Sequence, residues 1–121
     1  MATKDYYERR HYPFRSLKHK IAYIKRSGVS FGNMFTEEGN KALKNAIQKV
    51  VDFILDDEKK LNRKKAIEMM VIEWKKVHSK HKEAFDTDVR ESVLWYVDSC
   101  LEHRGKKEVT NKEIKSLYEE K

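Results

Sequence analysis

Apolar residues return every three or four positions through most of this chain, the spacing of a helix that buries one face. From Phe14 to Ser27 they fall at Phe14, Leu17, Ile21 and Ile24. Thr36 then reads as an N-cap with Glu37 and Glu38 in the first turn, where acids complement the helix dipole. Leu43, Ala46, Ile47, Val50, Phe53 and Ile54 follow at helical spacing. Asn62 can cap a further helix with the stripe Ala66, Ile67, Met70, Val71, Trp74 and Val77. Asp86, Thr87 and Asp88 offer three cap positions for a helix carrying Val89, Val93, Tyr96, Val97, Cys100 and Leu101, stopped by Gly105. Thr110-Asn111-Lys112-Glu113 has the form of a capping box, with Val109 and Ile114 at the two staple positions. Leu117 and Tyr118 supply the buried face of that last element.

The spacing predicts long helices over 37–56, 63–80 and 87–104, and shorter ones over 14–27 and 111–119. Any helix within 3–11 must end before Pro13, which pushes Tyr12 out of the helical region. The expected core is Leu43, Ile47, Val50, Ile54, Ile67, Met70, Val71, Trp74, Val93, Val97, Cys100 and Leu101. No segment alternates with period two for long enough to make a strand. The fold class is therefore all-α: a small helical bundle of three long helices plus short N- and C-terminal helices. Short loops between the long helices favour antiparallel neighbours. The chain divides into an N-terminal arm, 1–13, and a single helical domain, 14–121.

Composition strengthens this reading. Four glycines and one proline in 121 residues leave few breakers, where a sandwich or barrel needs many turns. A single cysteine, Cys100, excludes an intramolecular disulfide and suits a reducing, cytoplasmic setting. The longest apolar run, Val50–Leu55, already contains Asp52. No membrane span is expected, and the N-terminus lacks the apolar core of a signal peptide.

Charge changes the picture most. After Glu8 no acid appears until Glu37. Residues 1–30 hold eight Lys/Arg against two acids, whereas residues 31–121 hold nineteen against eighteen. Nearly all of the net +7 thus sits in the first quarter of the chain. Tyr6, Tyr7, Tyr12, Phe14 and Tyr23 are interleaved with those cations. A localised basic, aromatic segment on a charge-balanced body points to an anionic partner, DNA or RNA first. The candidate contacts are Arg9, Arg10, Arg15, Lys18, Lys20, Lys25 and Arg26, which would neutralise phosphates, with Tyr7 and Tyr12 able to stack on bases. The bland reading of the same residues is a solvated face over a core that takes the aromatics.

Other constellations carry less. His78 and His81 stand at i, i+3, as do Cys100 and His103, and together they have zinc-ligand chemistry. Antiparallel packing would put the two pairs at opposite helix ends, roughly 20 Å apart, so no metal is expected. The stretch Leu101–Ile114 resembles the entry into a helix-turn-helix, but no recognition helix follows it before Lys121. A capped C-terminal helix packing on the bundle is the preferred reading. The serines lack a nucleophile-elbow context, and no phosphate loop exists. Acid pairs such as Asp56-Asp57 fall in loops and caps. No enzyme activity and no cofactor are expected.

The sequence thus reads as a non-catalytic nucleic-acid-binding protein of the cytoplasm, of a size that suits an accessory factor of a virus, plasmid or mobile element. The alternative is a helical protein–protein adaptor or regulator, or a homo-oligomer, whose basic segment docks an acidic surface. Trp74, Trp95, Met69 and Met70 could serve such an interface, with Trp95, at the border of its stripe, the aromatic most expected at the surface.

Overall fold

A computed structural model describes residues 16–32 and 34–118, the side chains of Ser116 and Tyr118 excepted, and their regular structure is all helical, with no strand among them. Helix α1 spans Leu17–Ser27, α2 Glu37–Ile54 and α3 Arg63–Lys80. A 3-10 turn at Lys82–Phe85 leads into α4, Thr87–His103, and a second, Asn111–Ile114, continues as the short α5, Lys115–Tyr118. The arm 1–13, with any helix in 3–11, lies outside the described residues. No described helix is long and apolar enough to cross a membrane.

Local chemistry sets the helix starts. The Ser16 hydroxyl accepts from His19 N–H at 3.3 Å, Thr36 from Gly39 N–H at 3.0 Å and Asn62 from Lys65 N–H at 3.1 Å. Each satisfies one of the backbone donors a helix leaves orphaned at its N-terminus. Asp86 takes the N-cap position of α4 but makes no side-chain cap bond. Gly105 closes α4 at φ +71, which lets Lys106 N–H reach back to the Leu101 carbonyl at 2.8 Å.

Side-chain pairs give the layout. Phe35 meets His81, and Lys49 meets Glu73, so α2 and α3 run antiparallel. Arg104, just past α4, binds carbonyls just past α2, while the turn before α4 packs at the end of α3. The chain therefore runs up, down and up, with α2 packed against both α3 and α4. Helix α1 lies on α4. The loop after α1 is tied down twice: Val29 N–H donates to Gln48 Oε1 at 2.8 Å, and the Tyr96 hydroxyl both accepts from Ser30 N–H (3.0 Å) and donates to its carbonyl (3.2 Å).

The expected core is buried with one exception: Val71 is only half-buried. Its position on α3 borders a shallow groove toward the C-terminal segment rather than α2. The core also takes Val29 and Phe31 from the loop, the latter edge-on to Tyr96 at 5.8 Å. Trp74 is fully buried and donates its indole N–H to the Ala84 carbonyl at 2.7 Å, which fixes the 3-10 turn against α3.

The predicted elements differ in detail, and the 87–104 helix ends one residue early, at His103. The 37–56 helix stops at Ile54, because Arg104 Nη1 captures the Ile54 and Asp56 carbonyls at 2.6 and 2.9 Å. The 14–27 helix begins, within the described residues, at Leu17 behind its Ser16 cap. The 111–119 element opens as a 3-10 turn. Its capping box forms as read, but the Glu113 carboxylate also receives Arg63 at 2.6 and 2.8 Å. Arg63 further donates to the Lys107 and Glu108 carbonyls at 2.8 and 2.7 Å, so one guanidinium clamps the C-terminal segment to the start of α3.

Candidate nucleic-acid interface

Helix α1 contains no acid, and it buries Ile21 and Ile24 against the rest of the molecule. That leaves Lys18, His19, Lys25 and Arg26 exposed. Lys18 and Lys25 are seven residues apart and share one line on the helix surface, and His19 and Arg26 share the adjoining line. The four form one outward face. Lys20 does not join it: the helical turn carries it to the opposite flank, where it is half-buried. Arg9, Arg10, Arg15, Tyr7 and Tyr12 lie outside the described residues.

Among the described residues no carboxylate stands within ion-pair distance of Lys18, Lys25 or Arg26. Arg26 lies over the Tyr23 ring, 5.9 Å from its centroid, and Tyr23 meets Trp95 edge-on at 6.5 Å. Trp95 in turn meets Tyr96 at 5.3 Å. Tyr23 and Trp95 are both half-buried, so the aromatic most expected at the surface is partly covered by α1. Lys25 and Arg26 also occupy the last turn of α1, where cations offset the negative end of the dipole. Part of their effect is thus local to the helix.

The zinc-like set is not assembled. His78 packs on Phe85 at 6.0 Å and His81 on Phe35 at 6.4 Å, at the end of the molecule where α4 begins. Cys100 and His103 stand at the end of α4. Among the described residues no group of three or more His, Cys, Asp or Glu gathers. Burial pushes the Cys100 thiol up to about 12, with nearby Lys25 lowering it only in part, so it remains a protonated apolar side chain.

A second cationic surface escapes the sequence reading. Between α2 and α3 runs a shallow, open groove of about 400 Å³, with Ala42, Ala46 and Val77 as its apolar lining and Lys49, Lys76, Lys80 and His81 around it. Among the described residues only one carboxylate, Glu73, lines it, 3.7 Å from Lys49 and 3.6 Å from Lys76. Lys76 and Lys80, one turn apart, were a visible signal, but the near-neutral balance of residues 31–121 hid the local surplus. Compared with protein-family models, curated proteins and solved structures, the chain has no significant match.

Proposed function

We propose that this is a non-catalytic, cytoplasmic nucleic-acid-binding protein, an accessory factor built on a bundle of three long helices with shorter flanking ones. The observation that carries this reading is the acid-free outer face of α1, where Lys18, Lys25 and Arg26 are exposed beside His19. It continues a stretch of sequence that holds no acid from Arg9 to Thr36. Cations on such a face neutralise phosphates and release counterions, which gives affinity without base selection.

Fluorescence anisotropy with labelled single- and double-stranded oligonucleotides at two salt concentrations tests it. Each single Lys or Arg change to Gln on this face should flatten the salt slope by roughly one unit for every sequence tried. Lys18→Glu, Lys25→Glu and Arg26→Glu together should abolish binding. Helicity, followed by circular dichroism, should survive because none of the three is buried. Wild-type protein that binds neither probe near physiological ionic strength would overturn the reading. A protein–protein adaptor would then take its place. That rival draws on Ile72, which is 55% exposed and is the one large apolar side chain standing in solvent among the described residues.

A further inference from the structure

We infer that the α2–α3 groove is a second phosphate-contact surface, separate from the α1 face, along which a nucleic-acid backbone runs; the inference rests on the nucleic-acid reading above. Three observations carry it. First, the groove's charge is unbalanced: Lys49, Lys76 and Lys80 face a single lining carboxylate, with His81 adding a further donor. Second, that carboxylate does not neutralise them. Glu73 is shared between Lys49 and Lys76 at 3.7 and 3.6 Å, and both lysine side chains stay about two-thirds exposed, at 66% and 68%. Pairs this loose and solvated hold their lysines weakly, so the side chains are available to turn toward a stronger anion. Third, the shape suits a chain. Small-molecule sites enclose most of their ligand, whereas this groove is shallow, open and aligned with two antiparallel helices. Lys49 and Lys76 flank Glu73, and Lys80 follows Lys76 one helical turn further along α3. A basic groove of that form tracks a phosphate backbone.

The chemistry gives variants of opposite sign. Lys76→Gln with Lys80→Gln removes two phosphate contacts. It should lower the salt slope by roughly two units and weaken binding at least tenfold at low salt. Glu73→Gln removes the one opposing charge that the described residues bring to the lining. It should tighten binding by about fivefold, the effect of one unit charge near 4 Å in water. Tighter binding by a Glu73→Gln variant whose urea unfolding matches the wild type separates electrostatics from damage. The measurement is anisotropy of fluorescein-labelled single- and double-stranded oligonucleotides on the full chain, with urea unfolding as the control. Weaker binding by the lysine pair together with tighter binding by Glu73→Gln supports the inference. Unchanged binding by both, while the α1 triple variant loses binding, overturns the groove and leaves the nucleic-acid reading standing. Weaker binding by Glu73→Gln also overturns the groove. Absence of binding by the wild type overturns both.

Discussion

Replacing Glu113 by Gln isolates the charge of the clamp that holds the C-terminal segment. The glutamine keeps the size of the side chain and an oxygen to accept from Thr110, so the capping box survives. What it loses is the carboxylate that takes two bonds from Arg63 at 2.6 and 2.8 Å. Those bonds to Arg63, helped by the Thr110 donors and opposed by partial burial, lower the Glu113 carboxyl from 4.5 to about 2. At about 1.4 kcal/mol per unit, a shift of that size corresponds to about 3 kcal/mol. The side chains of Arg63 and Glu113 remain 22% and 29% exposed, so solvent screening reduces the figure. We expect about 1–2 kcal/mol at neutral pH. The pKa is lower in the folded state, so the contribution is present above pH 4.5 and is lost as the pH falls through about 2. Urea unfolding of wild type and Glu113→Gln, followed by circular dichroism from pH 7 down to pH 2, measures the difference directly. The two curves should converge at the acid end. An Arg63→Met background should shrink the neutral-pH difference, since the coupling partner is gone. A difference under about 0.3 kcal/mol at pH 7, or one that persists unchanged at pH 2, would refute the reasoning.

Two further outcomes follow from the same geometry. Burial raises the Asp98 carboxyl from 3.8 to about 6, although Val109 N–H donates to it at 2.8 Å. Its stabilising protonated form is therefore complete below pH 3.8 and is lost as the pH rises through about 6. Asp98→Asn keeps an acceptor for Val109 and should stabilise the protein by about 1 kcal/mol at pH 7 and not at pH 3.5, read by urea unfolding. Tyr96→Phe removes the hydroxyl that serves both Ser30 backbone groups across 66 residues of sequence. It should cost about 1–2 kcal/mol and raise hydrogen exchange at Ser30 above that of the α3 core; exchange unchanged from wild type would count against the tether.

The helices were legible because their causes are local. Thr36, Asn62 and the Thr110–Glu113 box act within one turn, and the apolar stripes of α2, α3 and α4 follow from the 3.6-residue repeat alone. The missed Ser16 cap was equally local, obscured by Pro13, three residues earlier, which could itself open the helix. The basic character of α1 could also be read directly, since no acid interrupts it and the helical repeat puts Lys18, Lys25 and Arg26 off the apolar stripe, but the half-burial of Lys20 needed the helix to be docked on α4. Other features depended on partners far apart in sequence. Glu113 reads as half of a local box, yet its second role belongs to Arg63, 50 residues earlier. The end of α2 is decided by Arg104, and the loop of Val29 and Phe31 becomes core through Gln48 and Tyr96. The α2–α3 groove is the strongest case. Its lysines lie on two helices, α2 with balanced charge and α3 rich in Lys and Arg, within a stretch, 31–121, whose charge nearly cancels, and only antiparallel packing brings Lys49 of α2 to the Glu73 that Lys76 also meets. Charge counted along a sequence averages over residues that the fold separates, while the potential at a surface depends on which of them end up side by side.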